Sequence, residues 1–199
     1  MRPAQSSVRY QNVSLWEYLL VAHPDEVTHQ KVAEEKNFFH NRYDHIHAIK
    51  SHPHITIANF LAKEVMEETV IRWIQNICRL QTSFTVTLNN FSGFPPHTIY
   101  LRVQDSKPFK QLTNALKIID GFIQSNDCPP LHLVTRPHVT IARSLPEHIY
   151  EKAIEEYAGR SFTSSFRVEK LILLKREGEF GKCEIVNTFT FSQALSLFD

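Results

Sequence analysis

The sequence lacks a strong net charge, paired cysteines and long hydrophobic runs. Its 199 residues include 22 Lys and Arg against 21 Asp and Glu, which leaves a net charge of +1. No global field therefore attracts nucleic acid or a membrane surface, and any anion must bind in a local site. The three cysteines, Cys78, Cys128 and Cys183, are widely spaced and odd in number. This excludes an even disulfide framework and a cysteine-based metal motif, and it favours reduced thiols.

Two further absences concern location and domain organisation. No run approaches 18 apolar residues, and the N-terminus has no signal-peptide pattern, so we expect a soluble, cytoplasmic protein that does not contact a membrane. The polar residues 1–12 are expected to be disordered. No linker interrupts residues 13–199, which are predicted to form one domain. We expect this domain to be a monomer.

A six-residue pattern is present twice. Residues 53–58 read PHITIA, and residues 137–142 read PHVTIA. A strand places residues i and i+2 on the same face, about 6.6 Å apart. Each copy therefore presents one imidazole and one hydroxyl side by side.

Strand alternation extends this face beyond the His-Thr pairs. In the first copy, Ala58 and Phe60 are predicted to share the face of His54. In the second copy, Ala142 is predicted to share the face of His138. The intervening Ile and Val residues are expected to be buried behind these faces.

Two such strands facing each other would form a cleft suited to acid–base chemistry on a phosphate. The pKa of histidine lies near neutrality, so His54 can take a proton while His138 gives one, or the reverse. Thr56 and Thr140 can donate hydrogen bonds to phosphate oxygens as charge develops. The scheme requires neither a metal ion nor another cofactor.

The order of predicted elements indicates an α+β fold. Hydrophobic periodicity predicts helices at 24–39, 64–80, 107–124 and 146–157. Alternating or continuous apolar runs predict strands at 15–22, 54–60, 84–88, 98–103, 131–142, 162–168, 170–176 and 183–191. Residues 91–96 are predicted to form a Gly/Pro turn. Short links between neighbouring strands favour antiparallel pairing.

With these two motifs, the sequence resembles the 2H phosphoesterase superfamily, which includes 2'-5' RNA ligase-like proteins and cyclic nucleotide phosphodiesterases. Residues 54–57 and 138–141 both fit its defining His-x-Thr/Ser pattern. Residues 91–95 and 99–101 resemble the strand pair between the motifs in the RNA ligase-like branch. The order of elements extends the resemblance over most of residues 15–192.

The resemblance implies a bilobal fold of two antiparallel sheets with helices on the outer faces and a central cleft. It implies metal-independent hydrolysis of a 2',3'-cyclic phosphate or a 2'-5' phosphodiester in a nucleotide or RNA end. His54 and His138 would be catalytic, and Thr56 and Thr140 would bind phosphate. The resemblance leaves open whether the protein also ligates RNA. The alternative is a nucleotide- or RNA-binding module with the same cleft and no significant turnover.

Other residues are candidates for contacts with the substrate. Arg136 lies two residues before the second histidine, and its guanidinium suits a phosphate contact. Phe60, Phe94 and Tyr100 are candidates for stacking on a base. Asn59 follows Ala58 where the family often continues directly to an aromatic residue, and a bulge there would change which wall Phe60 lines. Strand alternation places Arg143 on the face opposite His138, where it is expected to be structural.

Five histidines lie between residues 40 and 54. His45 and His47 could place both rings on one strand face, with Asp44 nearby, but no convincing ligand spacing completes a metal site. We therefore expect these histidines to lie in an exposed loop and predict no metal site.

Overall fold

The computed structural model describes residues 14–178 and 181–192, so the predicted disorder of residues 1–12 lies outside it. Within the described residues there are nine strands and four α-helices. The helices are α1 (Glu26–Tyr43), α2 (Glu67–Arg79), α3 (Lys107–Ser125) and α4 (Glu147–Ala158). The strands are β1 (Leu15–Ala22), β2 (Ile55–Lys63), β3 (Phe84–Phe94), β4 (Thr98–Val103), β5 (His132–Leu133), β6 (His138–Ala142), β7 (Thr163–Val168), β8 (Lys170–Arg176) and β9 (Glu184–Thr190).

The strands form one open antiparallel sheet in the order β7-β3-β4-β6-β2-β1-β8-β9, with β5 paired to β2. The α+β prediction is confirmed. The two predicted sheets are the two halves of this sheet, and they join where β2 pairs with β6 through Ile55 and Val139. Helices α1 and α4 pack on the half that contains β3 and β6, and α2 and α3 pack on the half that contains β2 and β9.

Local sequence explains where the helices begin and which faces they bury. Asp25 caps α1, since its carboxylate accepts a hydrogen bond from the Thr28 backbone N–H at 2.8 Å. In α3, Pro108 occupies the first turn, where a missing N–H costs no hydrogen bond. The predicted stripe of α3 is buried: Phe109, Leu112, Leu116, Ile119 and Ile123.

The predicted turn at residues 91–96 is partly wrong, because β3 continues to Phe94 and pairs with β4. Gly93 belongs to this strand for a packing reason. A Cβ at this position would clash with the hydroxyl of Tyr150, so glycine permits α4 to approach the strand closely. The longer strand carries the Phe94 ring to the neighbourhood of His138.

Within the described ranges, no helix has the length and apolar content needed to cross a membrane.

Candidate active site

The two motif strands lie side by side at the junction of the half-sheets. The Ile55–Val139 pair sets their antiparallel register. Extending that register by one residue each way places His54 opposite Thr140 and places Thr56 opposite His138. The two histidines are then diagonal neighbours, about 7–8 Å apart at the backbone. Both histidines and both threonines are partly exposed, whereas Ile55 and Val139 are fully buried.

Each copy of the motif also contains the same β-bulge. Between β1 and β2, the pairing passes from Leu20–Ala58 to Val21–Thr56 and leaves out Ile57. Between β4 and β6, it passes from Ile99–Ala142 to Tyr100–Thr140 and leaves out Ile141. The extra residue interrupts strict alternation, so that the Ile and the following Ala are both buried.

The bulges overturn three predictions based on strict alternation. Ala58 and Ala142 are buried in the core and do not continue the histidine face. Phe60 is also buried, and its ring stacks on Tyr18 with 5.1 Å between centroids. Phe60 therefore cannot stack on a base. The bulge lies at Ile57 and not at Asn59, which pairs regularly with Leu19.

The other two aromatic candidates lie beside the second histidine. Phe94 and Tyr100 stack with 4.2 Å between ring centroids, and each centroid lies 5.0 Å from that of His138. Their pairing strands place them there: Tyr100 is opposite Thr140 in the register of β4 and β6. The two rings thus form an aromatic wall next to one imidazole.

Backbone carbonyls hold both imidazoles in the same orientation. The Nδ1 atom of His54 lies 2.7 Å from the His52 carbonyl oxygen, and that of His138 lies 2.8 Å from the Arg136 carbonyl oxygen. A carbonyl can only accept, so Nδ1 must carry the proton in each ring. In the neutral ring, Nε2 is therefore the basic atom, and in the charged ring it becomes the second donor.

Burial makes both rings harder to protonate. Loss of solvation lowers the pKa of His54 to about 4, against the opposing effect of the hydrogen bond to the His52 carbonyl. The nearby charges of Lys36 and Arg143, and of His23 when protonated, lower the His54 pKa further. At His138, burial lowers the pKa, and the hydrogen bond to the Arg136 carbonyl opposes this.

Sequence reasoning missed two residues near His54. His23 follows β1 directly, and its ring centroid lies 6.5 Å from that of His54. Lys36 is buried in α1, and its Nζ donates to the carbonyl and hydroxyl oxygens of Ser51 at 2.7 and 2.9 Å. Burial lowers the pKa of Lys36 to about 8, and the charge of Arg143 adds to this effect. The position of His23 directly after the predicted strand 15–22 could have indicated it, but nothing in the sequence marked Lys36.

Arginine side chains extend the polar surroundings of the site. Arg102 is opposite His138 in the register of β4 and β6. The bulge changes the alternation before Arg143, so this residue does not follow the predicted opposite face, and its charge acts on His54. Arg136 is exposed and contributes its carbonyl to His138. A phosphate contact by the Arg136 guanidinium stays a prediction.

The prediction that the histidine cluster lies in an exposed loop is wrong for His40, which lies in α1 with its Nδ1 atom buried and without a hydrogen-bond partner among the described residues. His45 Nε2 lies 2.9 Å from the Arg143 carbonyl oxygen, and the His45 and His47 ring centroids are 5.5 Å apart. Within the described part of the chain, no three His, Cys, Asp or Glu side chains are arranged to hold a metal ion.

Comparisons with known proteins identify the family and support the fold. The family model of the 2'-5' RNA ligase superfamily matches residues 24–179. A crystal structure of E. coli LigT complexed with 3'-AMP is similar with a TM-score of 0.63 and 15% identity, over 90% of this chain and 100% of that chain. LigT complexed with phosphate gives 0.56 and 14%, over 90% and 99% of the two chains. Kluyveromyces marxianus Usb1 gives 0.51 and 14%, also over 90% and 99%. At these identities the likeness shows the fold. A search of curated proteins gives no significant match.

Proposed function

The chain belongs to the 2'-5' RNA ligase superfamily of 2H phosphoesterases, and on this basis we propose that it is a metal-independent phosphoesterase. It opens 2',3'-cyclic phosphates or cleaves 2'-5' phosphodiester bonds of nucleotides or RNA. The observation that carries the proposal is the matched pair of imidazoles, each fixed through Nδ1 to a backbone carbonyl and each beside a threonine. Such a pair can hold one phosphorus between a base and an acid.

We assign His54 as the base. Its pKa of about 4 keeps the ring neutral near pH 7, so Nε2 can accept a proton from the attacking water. As the water oxygen bonds to phosphorus, the bond from phosphorus to one ribose oxygen breaks. His138, protonated when the anionic phosphate binds beside it, gives its Nε2 proton to that leaving oxygen. The proton on His54 then returns to His138 through solvent.

Thr56 and Thr140 bind the nonbridging oxygens in this scheme. Within residues 14–178 and 181–192, neither hydroxyl has a hydrogen-bond partner in the protein, although both threonines lie beside a catalytic imidazole. Hydroxyl donors placed before reaction stabilise the charge that develops on phosphorus-bound oxygens. The charges of Lys36 and Arg143 near His54 favour an anion at the same place.

The test is turnover of a nucleoside 2',3'-cyclic phosphate and of a 2'-5' linked dinucleotide in the presence of EDTA. We expect turnover by the wild type and losses of at least about 100-fold in kcat for His54→Ala and for His138→Ala. His148→Ala, an exposed substitution on α4, is the control and should retain full activity. Unchanged rates in both site variants would refute the assignment. Tight nucleotide binding without product would instead select the binding-module alternative.

A further inference from the structure

A basic groove of about 440 Å³ opens beside the candidate active site. Three cations from three different segments line it: Arg102 on β4, Lys110 on α3 and Arg136 before β6. Hydroxyl groups of Tyr100, Ser106 and Thr135 complete its polar lining. Because the chain has a net charge of only +1, this concentration of positive charge is a local feature.

No acidic side chain lines this groove. Arg102 Nε donates to the Asn89 carbonyl at 3.2 Å, which leaves its charge uncompensated. Lys110 and Arg136 make no ion pair with any residue that the structure describes. Asp105, close to Ser106 in sequence, accepts a hydrogen bond from the Lys107 backbone N–H at 2.9 Å. Three like charges around one concave surface repel each other, and a bound anion would relieve that repulsion.

The groove borders the candidate site on the side of His138. Tyr100 and Arg102 line the groove and are the register partners of Thr140 and His138. Pro137 also lines it, next to the catalytic histidine. The lining of the groove therefore extends from the residues beside His138 to Lys110 on α3.

We infer that this groove binds the phosphodiester that flanks the reacting phosphate, so that the substrate class is an oligonucleotide rather than a mononucleotide. This inference rests on the proposed function. A polynucleotide backbone matches the groove because it presents further phosphates at a fixed interval from the reacting one. Lysine and arginine side chains bind the phosphates of such a backbone, and each contact between a cation and a phosphate releases counterions.

The test compares two substrates with Lys110→Gln and its control. Lys117→Gln removes a charge from the same helix at an exposed position outside the groove. We expect Lys110→Gln to lower kcat/KM about threefold to fivefold for a tetranucleotide that ends in a 2',3'-cyclic phosphate, through KM, as for one exposed charge pair. Turnover of a mononucleoside 2',3'-cyclic phosphate should stay unchanged, and Lys117→Gln should affect neither substrate.

Salt dependence gives a second measurement that does not need turnover. Binding of a 3'-phosphorylated tetranucleotide is followed by fluorescence anisotropy at several salt concentrations. Loss of one phosphate contact should reduce the slope of log K against log salt by about 0.7 in Lys110→Gln. If neither substrate is turned over but this slope changes, the proposed function fails and the groove assignment stands. Equal effects of Lys110→Gln and Lys117→Gln in both measurements would overturn the groove assignment.

Discussion

The burial of His54 makes stability depend on pH in a way that one substitution should remove. Loss of solvation in the folded protein lowers the pKa of His54 to about 4, below its usual 6.5. His23, Lys36 and Arg143 add positive charge nearby, and the His52 carbonyl opposes them. Above pH 6.5 the ring is neutral in both states. As the pH falls below 6.5, His54 becomes protonated in the unfolded chain but stays neutral in the folded protein. The free energy of unfolding therefore decreases until about pH 4.

The size of this effect follows from the two pKa values. A pKa difference between 6.5 and about 4 corresponds to roughly 3 kcal/mol when the loss is complete, below pH 4. At pH 5, about 2 kcal/mol of it is already lost. His54→Gln cannot take up a proton, so the variant should gain about 2 kcal/mol relative to the wild type between pH 7.5 and pH 5.

Urea denaturation at the two pH values measures this difference directly. The comparison of variant with wild type cancels the contributions of other groups that titrate in the same range, including His23 and His138. His148→Gln, an exposed substitution on α4, is the matched control and should follow the wild type at both pH values. If the difference in free energy of unfolding between His54→Gln and the wild type is the same at pH 7.5 and pH 5, then burial of His54 does not cause the pH dependence.

Three further predictions test other parts of the structure. Because burial lowers the pKa of Lys36 from 10.5 to about 8, the free energy of unfolding of the wild type relative to that of Lys36→Met, measured by urea denaturation, should rise by up to about 3 kcal/mol between pH 8 and pH 10.5. Thr56→Val and Thr140→Val should each lower kcat on a 2',3'-cyclic nucleotide at least about tenfold through the loss of a hydrogen bond to a charged group. A rate within twofold of wild type would contradict that role. Phe60→Ala should lower the free energy of unfolding by about 3–5 kcal/mol, because Phe60 is a core residue. A small change in stability with a large change in KM would instead show that Phe60 contacts the substrate.

Much of the arrangement of the candidate site could be predicted because the repeated motif specifies both residue types and local strand geometry. Period-2 alternation placed His54 and Thr56 on one face and His138 and Thr140 on another, and the apolar residues between them identified the buried sides. The α+β class followed from helical and strand periodicities in separate segments. These features are local, so a single sequence is enough to predict them.

The errors have physical causes that strand alternation alone does not reveal. An extra residue in β2 and in β6 changes the alternation of side chains after Ile57 and Ile141. As a result Phe60 is buried, and Arg143 does not lie on the face that strict alternation predicts. Gly93 looked like a turn residue, but it serves the close approach of α4.

The remaining site residues depend on which strands and helices become neighbours. Arg102 reaches the site because β4 pairs with β6. Lys36 reaches it because α1 packs against β6 and the adjoining segment. Such contacts between distant segments follow from topology, which spacing along the chain does not specify.

The most direct test of the central claim is an experimental structure with inorganic phosphate bound. We predict one phosphate within hydrogen-bond distance of Nε2 of both His54 and His138, with the hydroxyls of Thr56 and Thr140 donating to its oxygens. A phosphate that contacts only one of the two histidines, or that binds away from both, would contradict the claim that this pair acts on a single phosphorus.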